Sequence, residues 1–168
     1  MTGGELGRFW MKIGVLSDTH LEKPHSEFKK FIELHFKDVD QIFHAGDFIS
    51  WEVTEYLSSL KQLVAVSGNM DPSDIRKAFP QQRVIEACGF RIGLVHGGGA
   101  PFGIESRVRE QFDEVDMIVY GHTHMPANHR TKKILFFNPG SLTRSFVGKG
   151  TIGILRIGET IEGEIITL

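Results

Sequence analysis

Five short segments carry residues that could hold metal ions: Ser17-Asp18-Thr19-His20, His44-Ala45-Gly46-Asp47, Ser67-Gly68-Asn69, His96-Gly97 and Gly121-His122-Thr123-His124. Within them Asp18, His20, Asp47, Asn69, His96, His122 and His124 offer imidazole nitrogens, carboxylate oxygens and one amide oxygen. Such a mixed set suits first-row divalent ions, manganese first, with nickel, iron or zinc as alternatives. A thiolate site is excluded, because the only cysteine is Cys88. Asp18 and His20 stand two residues apart, as do His122 and His124. On extended backbone such neighbours share a side, so each pair can chelate one ion. Asp47 is the natural bridge, since a carboxylate has two oxygens and can hold two cations. Seven donors exceed the needs of one ion, and paired cations make hydroxide near neutral pH and stabilise an anionic transition state.

Taken singly these segments mean little. An Asp-x-His often lies in a turn, a Gly-Asn usually is one, and a lone His after an apolar strand can be a satisfied core residue. We leave His25, His35, His44 and His129 with that plainer role. The conjunction carries the weight: each cluster follows a short apolar run, at residues 12–16, 41–44, 63–66, 90–96 and 117–120. Ligands in α/β sheets bind at the carboxyl ends of strands, so five distant segments would meet in one crevice. The intervening segments read as helices. Residues 26–37 place Phe28, Phe31, Ile32 and His35 at helical spacing with Ser26 as the cap, the next helix presents Val53, Tyr56, Leu57 and Leu60, and a third covers residues 104–112. This rhythm predicts a parallel sheet with crossover helices. The second half is richer in strands: a hairpin of residues 83–87 and 90–96, then 134–138, 151–157 and 160–167, with a tight turn at Gly158-Glu159. Two sheets packed face to face, with helices outside, accommodate so many strands.

The chain has 168 residues, 40% hydrophobic and 24% charged, and a formal net charge of -2. These values describe one globular domain, taken as residues 11–168, and no electrostatic bias toward nucleic acid. The 13 Phe are scattered and read as core. No apolar run approaches the roughly 20 residues that span a membrane, and residues 1–10 lack the pattern of a secretion signal. They read as an N-terminal arm or alternative start before Met11, and the expected location is cytoplasmic.

The segments Asp18-Thr19-His20, Gly46-Asp47, Gly68-Asn69, His96-Gly97 and Gly121-His122-Thr123-His124 resemble the five motifs of the calcineurin-like metallophosphoesterases, over nearly the whole chain from Lys12. The small size and the Asn138-Pro139-Gly140-Ser141 turn resemble the family's short YfcE-like phosphodiesterases. The resemblance implies a four-layer α/β/β/α sandwich, two mixed sheets flanked by helices. It implies that Asp18, His20, Asp47 and His124 hold one metal, and that Asp47, Asn69, His96 and His122 hold the other. It implies hydrolysis of a small phosphate ester, a diester above all, by a hydroxide bridging two metals, with Asp47 and Asn69 as catalytic residues. Gly97, Gly98, Asn69 and Arg144 are the expected substrate contacts. One departure stands out. Much of the family has Gly-Asn-His where this chain reads Gly68-Asn69-Met70-Asp71, and Met cannot protonate a leaving group. The alternative is a Vps29-like protein-interaction scaffold with little catalysis. A retired site would have lost ligands, and here all seven positions carry competent residues. The absence of a basic stripe argues against a long nucleic-acid substrate. Homo-oligomerisation stays open.

Overall fold

The computed structural model describes residues 10–143 and 149–168. The elements run β1 (Met11–Leu16), α1 (Ser26–Phe36), β2 (Gln41–His44), α2 (Trp51–Leu60), β3 (Gln62–Ala65), α3 (Ser73–Ala78), β4 (Gln82–Ala87), β5 (Phe90–Val95), α4 (Ile104–Arg109), β6 (Met117–Val119), β7 (Ala127–Thr131), β8 (Ile134–Asn138), β9 (Thr151–Ile157) and β10 (Ile161–Thr167). The strands form two five-stranded sheets, ordered β10-β9-β1-β2-β3 and β4-β5-β6-β8-β7. In the first, β1, β2 and β3 are parallel. In the second, β5, β6 and β8 are parallel. Each parallel trio therefore releases its chain ends along one edge of its sheet.

Strand alternation builds three cores from one sequence. Ile13 and Val15 of β1, Phe43 of β2, Ile92 and Leu94 of β5, Met117 and Val119 of β6, and Phe137 of β8 fill the space between the sheets. The opposite faces of β1 and β2, through Leu16 and Ile42, meet Phe28, Ile32 and Phe36 of α1, Val53 and Leu57 of α2 and Ile75 of α3. Behind the second sheet, Val95, Ile118 and Phe136 meet Ile104 and Val108 of α4. These layers are helix, sheet, sheet and helix, as the strand count and the family resemblance imply. Residues buried on both faces explain why the strands read as continuous apolar runs.

Several details differ from expectation. Helix α1 is capped by His25, whose Nδ1 accepts the Phe28 N–H at 3.2 Å, and not by Ser26. Strand β7 and helix α3 have no strong sequence signature. Residues 128–131 of β7 are all exposed, so nothing alternates, and α3 is six residues long with only Ile75 buried. Helix α4 stops at Arg109, three residues short of its expected end, although Phe112 is still buried beneath the sheet. The turn at Gly158 forms as expected, with its N–H donating to the Thr160 carbonyl. Among the described residues, no helix is long and apolar enough to cross a membrane.

Phe137 ties the sheets together. Its ring lies against Gly153 of β9 and Gly163 of β10, where an added Cβ would come within 2.4 and 2.6 Å of it. Truncation would leave a void between two sheets that cannot collapse independently. Phe137→Ala is expected to lower stability by about 3–5 kcal/mol, read as a lower urea midpoint with an unchanged m-value.

Candidate metal centre

All seven ligand-type residues meet where the two parallel trios end. Asp18 and His20 follow β1, Asp47 follows β2, Asn69 follows β3, His96 follows β5, and His122 and His124 follow β6. The first sheet thus supplies every oxygen donor, and the second supplies three of the four imidazoles. Asp18 Oδ1 lies 3.1 Å from His124 Nε2, 3.7 Å from His20 Nε2 and 4.0 Å from His96 Nε2. Asp47 Oδ2 lies 3.5 Å from His20 Nε2 and 3.3 Å from His96 Nε2. Asn69 Oδ1 stands 3.1 Å from both His96 Nε2 and His122 Nδ1. Among the described residues, two compact groups could hold an ion, Asp18-His20-His124 and Asp18-Asp47-His96.

The backbone achieves this convergence in a way the sequence spacing does not suggest. Asp18, His20, Asp47, His122 and His124 all have positive φ, between 48° and 69°. The two Xaa-x-His pairs therefore do not lie on extended strand, and that expectation is corrected. Left-handed backbone is tolerated best by Asn, Asp and His among residues with a Cβ, and each such position costs of order 1–3 kcal/mol. Tertiary hydrogen bonds hold the strain. The Asp18 N–H donates to the Gly46 carbonyl and the His20 N–H to the Asp47 carbonyl, at 2.9 and 3.2 Å. The motif glycines serve close approach. A Cβ on Gly68 would fall 2.1 Å from Asp47 Oδ1, and one on Gly121 would fall 1.9 Å from Ser17 Oγ.

Each donor is aimed by a partner behind it. Asp18 Oδ2 accepts from the Ser17 hydroxyl at 2.5 Å and from the His122 N–H at 2.9 Å, which leaves Oδ1 facing the imidazoles. Asp47 Oδ1 accepts the Met70 N–H at 2.7 Å, so only Oδ2 faces the cluster. His96 Nδ1 lies 2.7 Å from the Ala45 carbonyl, to which its N–H donates, and this frees Nε2 as a ligand atom. The Asn138 amide donates to the Gly121 carbonyl and the Ser141 hydroxyl to the Asp18 carbonyl, so the Asn138-Pro139-Gly140-Ser141 turn braces two ligand loops. His44 is a satisfied core residue. Its Nδ1 accepts the Gly46 N–H, its Nε2–H donates to Thr19 Oγ1, and it stacks on Phe48. Burial pushes its pKa down to about 3, so it stays neutral beneath the site.

Two atoms reveal what the pocket lacks. Asp18 Oδ1 and His20 Nε2 are buried without a hydrogen-bond partner. Buried polar atoms are nearly always satisfied, and an anionic oxygen left bare is costly. Both point into the same cluster, and a divalent cation satisfies both, so the residues fit a metal. Burial would raise the Asp18 carboxyl, but the imidazoles of His124, His20 and His96 and the Ser17 hydroxyl hold it well below the usual carboxylate range. Asp47 is lowered despite burial, chiefly by His96. Burial works against a charged His96, yet Asp47 and Asp18 raise its pKa.

Around the donors, Gly97 lines a cavity beside Asn69 and His96. Gly98 has open space where a Cβ would stand. The glycine run is not loose. Arg107 donates to the carbonyls of Gly98, Ala100 and Phe102, and the Gly99 carbonyl lies 2.8 Å from His122 Nε2. Arg144, the remaining expected contact, lies outside the described residues.

Oxygen and imidazole donors gathered at the shared edge of two packed sheets make a centre suited to divalent metal. The chain belongs to the calcineurin-like phosphoesterase superfamily, whose domain description matches residues 11–160. It is 36% identical over 159 residues to a probable metallophosphoesterase of Methanothermobacter thermautotrophicus, covering 93% of this chain and 92% of that one. A solved archaeal phosphodiesterase superposes with a TM-score of 0.73 at 28% identity, over 94% of this chain and 100% of that one. Vacuolar protein sorting 29 of Cryptosporidium parvum superposes with a TM-score of 0.74 at 19% identity, over 96% of this chain and 99% of that one, a likeness of fold.

Asp71 is the positioning residue that sequence reasoning left without a role. Its carboxylate accepts the N–H groups of Asp47, Ile49 and Gly68 at 3.0, 2.9 and 2.8 Å. An amide in its place would turn an NH₂ toward one of those donors. Asp71→Asn is expected to cost about 1.5–3 kcal/mol, the range for hydrogen bonds to a charged group. It should also weaken metal binding about 10–100-fold, measured by competition with a chromogenic chelator.

Proposed function

We propose that this protein is a phosphodiesterase working on two divalent cations, held by Asp18, His20, Asp47 and His124 and by Asp47, Asn69, His96 and His122. The observation that carries the reading is Asp47 Oδ2, placed within 3.5 Å of His20 and 3.3 Å of His96, with Asp18 Oδ1 at 3.1 Å from His124 and 3.7 Å from His20. One oxygen facing two imidazole groups suits a bridge between cations. The donor set, rich in nitrogen and oxygen and free of thiolate, favours manganese, ahead of nickel, iron and zinc. When bound, the cations supply Lewis-acid charge for the phosphoryl oxygens and make hydroxide accessible near neutral pH. Only Asp18 and Asp47 among the seven donors carry charge. They offset half the charge of two divalent cations. The remaining positive charge would favour an anionic phosphate ester.

The protein's own groups do the rest. Asn69 presents its carboxamide to the open side, beside His96 and His122, where its NH₂ can donate to a phosphoryl oxygen. Met70 is 57% exposed at the rim and offers no proton. His25 Nδ1 accepts the Phe28 N–H at the start of α1. With Met70 where much of the family has His, that position gives the leaving group no proton.

Two expectations follow. Protein purified without chelator should carry two metal equivalents per chain. Asp47→Asn should lower turnover by more than about 10²-fold, the scale of losing one charge-stabilising group, while His20→Asn retains measurable rate; equal losses with intact metal content would remove Asp47 from the bridging role. Second, rates should depend steeply on leaving-group pKa, with aryl diesters cleaved well and alkyl diesters poorly. A general acid contributes about 10²–10⁴-fold, so Met70→His should help alkyl substrates more than aryl ones. A flat dependence in the wild type would mean that another residue donates the proton.

A further inference from the structure

A cavity of about 300 Å³ opens directly from the metal centre, lined by Ser67, Asn69, Arg76, Gln81, His96 and Gln111, with Gly68, Gly97 and Val95 between them. It shares Asn69 and His96 with the ligand set, so a group filling it is contiguous with whatever occupies the metals. Its walls are fixed. The Ser67 N–H donates to the Pro80 carbonyl, which places Gln81 against the loop of Asn69. The Gln82 side chain donates to the Gln111 carbonyl at 3.4 Å and ties the segment after α4 to β4. Arg76 sits on α3, anchored by buried Ile75.

The chemistry of this lining is specific. Arg76 is its one charged side chain other than the candidate ligand His96, and the Arg76 guanidinium has no hydrogen-bond or ion-pair partner among the described residues. Nearby Arg107 is unlike it, being consumed by three loop carbonyls. Gln81 and Gln111 bring amides suited to hydroxyl groups. An apolar or aromatic group would find little to cover it there beyond Val95. The volume lies at the bottom of the range of about 300–1,000 Å³ for ligand pockets, so only a small group fits. A guanidinium favours carboxylate and phosphate through paired donors.

We propose that this cavity is the subsite for one ester arm of the substrate, and that Arg76 selects an arm that is small, hydroxyl-bearing and anionic, such as a phosphorylated polyol. The inference rests on the phosphodiesterase reading and names its substrate class. The two preferences are separable, because leaving-group chemistry sets the rate and the cavity sets the choice among arms.

The test compares two diesters that share p-nitrophenol: one with glycerol as the other arm, and one with glycerol bearing a further phosphate on its terminal hydroxyl. The wild type should favour the second in kcat/KM by about tenfold, the scale of one charge-assisted hydrogen bond at a partly open site. Arg76→Gln should collapse that ratio toward one and Arg76→Lys should restore part of it. Lys77→Gln, a neighbouring cation outside the cavity lining, should leave the ratio as it is. A wild-type ratio near one, or equal collapse in Lys77→Gln, overturns the subsite. If neither diester nor bis(p-nitrophenyl) phosphate is cleaved, the phosphodiesterase reading fails. The subsite is then judged by calorimetry on metal-loaded protein, where glycerol 1,3-bisphosphate should bind more tightly than glycerol 1-phosphate in wild type but not in Arg76→Gln.

Discussion

Two carboxylates, Asp18 and Asp47, are buried within reach of the same imidazoles, and much of the local structure answers to that crowding. Like charges at close range in a dry site oppose each other's ionisation. Without metal, His96 and the carboxylates offset one another, the imidazole lowering the carboxyl pKa values and the carboxylates raising that of His96. Divalent cations do the same work more completely, and they leave the imidazoles neutral as ligands must be. The layer behind the donors follows from this need. Ser17, the Ala45 carbonyl and the Met70 N–H each fix one atom of a donor so that the remaining atom faces the cluster, and Asp71 holds the Asp47 backbone N–H.

The two sheets divide the work. The first brings both carboxylates and the amide, and the second brings three imidazoles, so neither sheet can form the centre alone. Their relative placement is held by the inter-sheet core around Phe43, Met117 and Phe137 and stitched by bonds of long sequence separation. The His122 N–H reaches Asp18 across 104 positions and the Ser141 hydroxyl across 123. The scaffold alternative draws on fold likeness to vacuolar protein sorting 29 at 19% identity. Fold likeness does not decide activity. The clustering of Asp18, His20, Asp47, His96 and His124, with Asn69 beside His96 and His122, bears on the matter more directly.

Much of this was readable in the residues because strand ends and donor types coincide. The apolar runs before Asp18, Asp47, Asn69, His96 and His122 announced both the strands and the shared edge. The backbone conformation was not readable, since spacing of two fits extended chain and paired left-handed residues alike; the preference of Asp and His for positive φ was the available hint. Asp71 stands beside Met70 with no role legible in the sequence, and its three N–H bonds appear only when loops distant in sequence meet. Arg76 carried no signal at all. It belongs to a six-residue helix without periodicity, and its meaning comes from facing a cavity whose other walls lie on β5 and beyond α4.

The left-handed ligand backbone has an evolutionary consequence. Five donors sit in conformations that glycine adopts freely, so loss of the ligands can relieve the local strain of the fold while ending metal chemistry. Selection for persistence and selection for turnover therefore act on the same few positions in opposite directions. In a lineage that ceased to need hydrolysis, these loops would be the first to drift, and the sandwich beneath them would stay intact.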